Sequence, residues 1–294
     1  VYKRQTLGYT GMALAGELQQ GDGAALTARF NDYVGDPFWP VLTHLLFAGL
    51  TWWFVRGGVQ QGGERTLRWM MPALFIMILL LVAFGLTLPG AMAGVRHFLM
   101  PDFSKLGMSG VLDAMGLAFF SLSIGLGIHT TYGAYLPSSE GVGRSSLWVV
   151  LLASVIAVLA GLMIFPVLAA TGIDPASGPG LTFMTMPAVF QQLPFGQGLA
   201  VVFFSLLVVA ALSSSISLLE HLQCFLCESL GWSRRTACNL VIALVMAGGI
   251  PVSLSFGPWA TLTLFGKNIF ELLDFITSNP VSYTHLRAHE TDSY

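Results

Sequence analysis

Residues 116–135 read GLAFFSLSIGLGIHTTYGAY, and this stretch decides the fold. It is long enough to cross a bilayer as a single helix. Two serines and two glycines nevertheless follow one another closely in its middle, at Ser121, Ser123, Gly125 and Gly127. Lipid offers backbone groups no hydrogen-bond partners, so a helix interrupted at membrane depth must lie inside protein, around something polar. Since broken helices of this kind hold substrates and ions in secondary transporters, the stretch predicts a binding site.

The composition places the whole chain in a membrane. Mean hydropathy is +0.73, 54% of the residues are hydrophobic, and only 10% are charged, against about 25% in soluble domains. The net charge of −2 gives no indication of a nucleic-acid partner. The three cysteines are an odd number, and they suggest no disulfide framework.

Apolar runs of about 20 residues mark membrane-spanning helices. The predicted spans are a partial one at 6–16, six at 37–55, 67–88, 111–136, 145–171, 197–229 and 234–251, and a last one, cut short, at 268–279. The predicted fold class is therefore an all-α polytopic membrane protein.

The loops between these spans differ in basic residues. One alternate set carries Arg56, Arg65, Arg144, Arg234 and Arg235, with Arg68 just inside the next span, and the other carries Arg29, Arg96 and Lys105. Because basic residues favour the cytoplasmic side, the first set is predicted to be cytoplasmic. The second set, at 17–36, 89–110 and 172–196, is predicted to form long external loops.

The two ends of the chain look foreign to the protein. Residues 1–5 read VYKRQ and residues 281–291 read VSYTHLRAHET. The codons GTC TCT TAT ACA CAT encode VSYTH, and the reverse complement of that DNA, extended in a shifted frame, encodes VYKRQ. We therefore predict translated sequencing adapters at 1–5 and 280–294, flanking an internal transporter fragment at 6–279. The alternative is a pair of natural polar tails.

Several blocks, in this order, resemble the neurotransmitter:sodium symporter family in its bacterial sodium-dependent amino acid transporter branch. Besides 116–135 they are FVRGGVQQGGERTLRWMMP (54–72), MPDFSKL (100–106), LLASVIAVLAGLMIFP (151–166), GIDPASGPGLTFMTMPAVF (172–190), VVAALSSSISLLE (208–220), LSFG (254–257) and GKNIFELLDFITSN (266–279). The resemblance implies a partial inverted-repeat bundle, from the family's third helix to the start of its tenth, in which 111–136 is the broken sixth helix. Without the first helix, which supplies half of the site, residues 1–294 alone are expected not to transport.

The resemblance also implies roles for residues of the broken helix. Phe120 covers the substrate and Ser123 contacts it. Ser121 ligates a first sodium ion, and Leu126 shapes the pocket for the substrate side chain. The alternative is a helix rich in glycine and serine that packs closely against its neighbours.

A second set of implied ligands lies in VVAALSSSISLLE. The Ala210 carbonyl and the Ser213 and Ser214 hydroxyls correspond to the second sodium site of the family. Leu218, one turn past Ser214, corresponds to a pocket residue. The resemblance also implies that Ser214 contacts the substrate. The alternative here is that the serines bond back to carbonyls of their own helix.

One position departs from the family pattern. The family usually has asparagine or aspartate, which completes the first sodium site, where this chain has Ala153. Ser154 would replace that oxygen only if the helix register shifted. The first site at Ser121 is therefore in question, and coupling to a single sodium ion at the second site is a hypothesis.

Phe120, Leu126 and Leu218 are all apolar, which suits a hydrophobic or aromatic amino acid. The favoured function is sodium-coupled symport of such a substrate across a bacterial inner membrane by alternating access, with chloride coupling, proton coupling and oligomeric state left open. A proton-coupled transporter using His129 or Glu220, and a channel or non-transporting sensor on the same fold, are the alternatives. The spans show no nucleophile–base pair, so an enzyme is not expected.

Overall fold

The computed structural model describes residues 2–56, 63–100, 103–105, 107–125, 127–134, 141–171, 181–193 and 195–278. Within these ranges the chain forms twelve α-helices: α1 Tyr2–Leu14, α2 Gly23–Gly35, α3 Trp39–Arg56, α4 Gly63–Thr87, α5 Ala91–Leu99, α6 Met108–Ser121, α7 Ile128–Ala134, α8 Val142–Thr171, α9 Met186–Gln191, α10 Gly196–Leu230, α11 Arg234–Leu254 and α12 Ile269–Ser278. Short 3₁₀ turns occur at Glu17–Gln19 and Phe103–Lys105, and a π turn at Leu181–Thr185. The strands β1 (Thr263–Leu264) and β2 (Lys267–Asn268) form a small antiparallel hairpin.

The predicted external loops contain helices that hydropathy did not indicate. These are α2, α5 and α9, and the longest of them has 13 residues. A 13-residue helix is about 20 Å long, short of the bilayer core. The start of α2 has a local cause, because the Asp22 side chain accepts a hydrogen bond from the Ala25 amide at 2.9 Å.

Among the described residues, three helices are long and apolar enough to cross a membrane, namely α8, α10 and α11. The number rises to five if two bent pairs each count as one span. One pair is α2 with α3, bent by 71°, and the other is α4 with α5, bent by 119°. This membrane-compatible helical architecture agrees with the predicted fold class.

The chain divides into two compact units, and the larger comprises Val1–Leu99 and Leu159–Thr261. In this unit α1 packs against α3 and α10, and α11 packs against α3 and α10. Tyr9 lies at the centre of its aromatic core, with ring centroids 4.8 Å from Phe183 and 5.3 Å from Phe204. Burial of these large rings stabilises the arrangement of α1 and α10.

The smaller unit comprises Met100–Val158 and Leu262–Tyr294. It contains α6, α7, the first part of α8, the hairpin and α12. Phe265 and Gly266 turn the hairpin with φ values of 53° and 74°, as a two-residue turn between twisted strands requires. Asn268 and Glu271 then cap α12 reciprocally, since each side chain accepts from the other's backbone amide at 2.8 and 2.9 Å.

The contact between α3 and α11 includes polar groups at membrane depth. The His44 ring Nε2 lies 3.2 Å from the Val245 carbonyl and donates to it. Trp52 Nε1 donates to the Asn239 side chain at 2.8 Å. The His44 ring fits because Gly249 has no side chain, and a Cβ there would lie 2.1 Å from Nε2.

Two adjacent glycines of α11 therefore respond differently to alanine. Alanine raises helix propensity at either site by about 1 kcal/mol. In Gly249→Ala the new methyl group displaces the His44 ring and removes its hydrogen bond, so we expect a lower melting temperature in detergent than for Gly248→Ala. A Cβ at Gly248 meets no described heavy atom within 4 Å, which makes it the matched control. Equal melting temperatures for the two variants would contradict this packing.

Candidate functional site

The first α-helix of the predicted broken span ends inside the apolar stretch. Helix α6 stops at Ser121, and α7 begins at Ile128. The Ser123 amide donates to the Phe120 carbonyl at 3.0 Å, and the Ile124 amide donates to the Phe119 carbonyl at 2.9 Å. These two bonds form a Schellman motif, which ends a helix while bonding carbonyls of its last turn. We call residues 122–127 the break.

The residue at the left-handed position of this motif is a serine. Ser123 has a φ of 55°, where glycine is the usual residue because it has no Cβ. Gly125 and Gly127 follow with φ values of 85° and 71°. Every second residue from Ser123 to Gly127 is therefore in a left-handed conformation, which explains why small residues alternate along this part of the sequence.

A histidine spans the break. The His129 ring Nε2 lies 2.5 Å from the Leu122 carbonyl, seven residues earlier in the chain. Beside it, the Thr131 amide bonds to the Gly127 carbonyl in the first turn of α7. The sequence named His129 as a candidate proton carrier, and in the structure its ring bonds to a backbone carbonyl.

The predicted substrate residues of α6 and the break are accessible in this chain. The Phe120 side chain is 69% exposed and Ser121 is exposed, whereas Ser123 is half-buried. Leu126, the predicted pocket residue, lies outside the described residues. The roles assigned to these four residues stay predictions.

The predicted second sodium site has its three oxygen atoms close together on α10. The Ser213 hydroxyl donates to the Ala210 carbonyl at 2.8 Å, and the Ser214 hydroxyl donates to the same carbonyl at 3.3 Å. This is also the back-bonding that the alternative interpretation predicts. Leu218 lies one turn past Ser214 and is 36% exposed, so both side chains lie on an accessible part of α10.

Ser154, the residue after Ala153, bonds back to its own helix. Helix α8 is continuous from Val142 to Thr171, with Pro166 inside it. The Ser154 hydroxyl donates to the Val150 carbonyl of its own helix at 2.8 Å. The replacement of the missing family ligand by Ser154 stays a hypothesis.

Glu220, a candidate proton carrier, is engaged in an ion pair. Both of its carboxylate oxygens accept hydrogen bonds from Arg234 Nη2, at 2.9 and 2.7 Å. The Cys224 thiol donates to the same carboxylate with an S···O distance of 3.8 Å. Glu220 itself is only 5% exposed. Its structural role is to join the end of α10 to the start of α11.

Sequence reasoning did not single out every ionisable residue within the predicted spans. His44 lies in the 37–55 segment and binds the Val245 carbonyl, as described above. An isolated histidine in an apolar run is the signal that would have found it. Its partner on α11 is some 200 residues away in the chain, and no local pattern indicates that pairing.

Comparison with known proteins identifies the family. A model of the sodium:neurotransmitter symporter family matches residues 24–285. The chain belongs to this family. The resemblance stated from the sequence blocks is confirmed, and because the relatives are transporters, the prediction that the chain is not an enzyme is confirmed as well. Members of this symporter family are multi-pass membrane proteins, which agrees with the apolar helices.

Two bacterial relatives and one solved structure define the similarity. An uncharacterized sodium-dependent transporter of Bacillus subtilis, YhdH, is 38% identical over 265 residues, which are 90% of this chain. One of Haemophilus influenzae is 37% identical over 244 residues, or 83% of the chain. The crystal structure of MhsT in complex with L-phenylalanine matches with a TM-score of 0.89 and 35% identity over 95% of the chain. This match confirms the symporter fold.

The chain is shorter than these symporters. It spans 59% of the Bacillus relative, 53% of the Haemophilus relative and 64% of the MhsT chain. The family and the fold are therefore established over the residues that these matches cover.

The ion pair between α10 and α11 gives a stability prediction. Arg234→Ala leaves the buried Glu220 carboxylate without its cation, so we expect the free energy of unfolding to fall by about 2 kcal/mol. Arg235→Ala removes an exposed charge from the next position, and its effect should stay within about 0.5 kcal/mol. Thermal unfolding of the two purified variants in detergent compares them. Equal losses of stability would show that the pair has no special role.

Proposed function

We propose that this sequence is the central part of a sodium-coupled symporter that carries a hydrophobic or aromatic amino acid across a bacterial inner membrane by alternating access. The observation that carries the proposal is the break. Its capped helix end and three left-handed residues occur in the middle of an apolar stretch, where an uninterrupted helix is otherwise favoured. Backbone of this kind at membrane depth is tolerated where it lines a cavity or is buried in protein.

The proposed substrate class is supported by the residues beside the break. Ser121 and Ser123 offer hydroxyls, and the interrupted backbone offers peptide groups, which suit the carboxylate and amine of an amino acid. The exposed Phe120 ring offers an apolar surface for its side chain. MhsT, solved with L-phenylalanine, is similar in fold to this chain and supports the same class.

The proposed sodium site uses the Ala210 carbonyl and the Ser213 and Ser214 hydroxyls. These are hard, neutral oxygens, which suit an alkali cation. A hydroxyl oxygen has two lone pairs and a rotatable hydrogen, so each serine is able to turn its hydrogen aside and present oxygen to a cation. The two donations to Ala210 bring these oxygens within 3.3 Å of one carbonyl.

The proposed coupling uses a single sodium ion. Ala153 has no oxygen to complete a first site near Ser121. The second sodium site, formed by the oxygens of Ala210, Ser213 and Ser214, is then the site that binds the coupled ion. This scheme includes no coupled proton, so it assigns no proton-carrying role to His129 or Glu220.

Uptake by the complete transporter that carries this sequence tests the proposal. In proteoliposomes with an inward sodium gradient we expect accumulation of labelled leucine or phenylalanine, because downhill sodium entry drives uphill substrate movement. An inward potassium gradient is the control. Uptake driven by a pH gradient but indifferent to sodium would replace this proposal with proton coupling. Sodium-stimulated flux that never exceeds equilibrium would indicate a channel.

Sodium titration of substrate binding tests the ion site. We expect Ser214→Ala to raise the half-saturating sodium concentration about tenfold, since loss of one oxygen ligand of a cation costs about 1.5 kcal/mol. Ser217→Ala, one turn along, is the matched control because its hydroxyl bonds to the Ser213 carbonyl. The wild-type Hill coefficient should lie near one, and Ala153→Asn should raise it towards two. A wild-type value near two would refute single-ion coupling.

A further inference from the structure

We infer that His129 is a positioning residue of the break: its ring Nε2–H holds the Leu122 carbonyl and thereby fixes the peptide unit that carries Ser123. The inference rests on the proposed function, because it assigns His129 a role in substrate affinity. It extends that function to a side chain that touches the backbone of the site and acts through it.

The contact defines which atom carries the hydrogen. The ring Nε2 lies 2.5 Å from the Leu122 oxygen. A carbonyl oxygen only accepts, so Nε2 must carry the hydrogen. The neutral Nε2–H tautomer and the imidazolium both meet this condition. The interaction therefore requires a donor at Nε2, whatever the charge of the ring.

The Leu122 carbonyl lies where regular helical bonding ends. The Schellman motif of α6 uses the carbonyls of Phe119 and Phe120, and the last helical residue is Ser121. Leu122 comes directly after it. In a membrane, a polar backbone group past the end of a helix needs a partner from protein, and the His129 ring provides one.

The bond holds one peptide plane at both ends. The Leu122 carbonyl and the Ser123 amide belong to the same rigid, planar peptide unit. On one side the Ser123 amide donates to Phe120 at 3.0 Å, and on the other the Leu122 carbonyl accepts from His129. The two contacts together fix the orientation of the peptide plane before Ser123, and thereby restrain the backbone torsion φ of Ser123.

This restraint matters because the conformation of Ser123 is costly. A non-glycine residue at φ 55° is strained and persists only when its surroundings hold it. Without the His129 contact, the break has more backbone freedom. Substrate binding then has to order the break, which lowers affinity without removing any group that contacts the substrate.

Three substitutions at His129 separate a hydrogen-bond donor from a proton carrier. Glutamine places an amide N–H near the position of Nε2, whereas asparagine is one bond shorter and leucine has no donor. In the complete transporter we expect His129→Leu to raise the substrate KM about fivefold, the factor for one lost hydrogen bond of ordinary strength. His129→Gln should restore most of the affinity, and His129→Asn should restore less. The maximal rate should change little.

Controls are available in the same chain. Thr130→Val alters the adjacent exposed position of α7 without removing the His129 contact, and His97→Leu removes an exposed histidine of α5. Both should leave KM within twofold of the wild-type value. If His129→Leu does not fold, the comparison of glutamine with asparagine still tests the donor, with monodispersity in detergent as the check on folding.

The outcomes distinguish this inference from the proposed function. Sodium-driven uptake that is unchanged in His129→Leu would overturn the role of His129 and leave the symporter proposal intact. Loss of transport in all three variants, with glutamine giving no rescue, would also overturn it and indicate a titrating histidine. If wild-type protein shows no sodium-driven uptake, the proposed function itself fails. A KM raised by leucine and restored by glutamine supports the inference.

Discussion

The structure depends on one constraint, which is that peptide groups at membrane depth need partners from the protein itself. Regular helices such as α8 and α10 meet it with their own ladders. The break has no such ladder, so its backbone groups find their hydrogen-bond partners individually. A Schellman motif bonds carbonyls of Phe119 and Phe120, and the His129 ring bonds that of Leu122. The break that is proposed to offer polar groups to a substrate is therefore itself held by hydrogen bonds.

Local sequence patterns predicted what local physics determines. The serines and glycines at membrane depth indicated an interruption, and the break lies there, with left-handed φ values at Ser123, Gly125 and Gly127. The two glycines adopt such values without strain because they have no Cβ. Apolar runs likewise predicted the long helices, since bilayer thickness sets their length. The serines of α10 were recognised as a group because they follow one another in sequence. Family membership was visible for the same reason, as short motifs in a fixed order.

Contacts between distant parts of the chain were not predictable in this way. The pairing of His44 with Val245 depends on how α3 and α11 pack, and Gly249 makes room for it. The pairing of Glu220 with Arg234 crosses a helix–helix turn, and it engages a suspected proton carrier in an ion pair whose carboxylate is buried and whose guanidinium is partly exposed. Helices such as α5 escaped notice because hydropathy windows detect spans and miss short helices. These features depend on how distant segments of the chain pack together, which no local sequence pattern specifies.

The paired donations of Ser213 and Ser214 to the Ala210 carbonyl have a kinetic consequence for the proposed ion site. When no cation is bound, the two hydroxyl hydrogens point at the oxygen that a cation would otherwise meet, and the helix keeps its polar groups mutually satisfied. When a cation arrives, only two torsions about C–O bonds need to change, with no movement of backbone. Side-chain rotations of this size are complete within picoseconds to nanoseconds. Loading of the proposed site is then limited by access to it and not by rotation of these side chains.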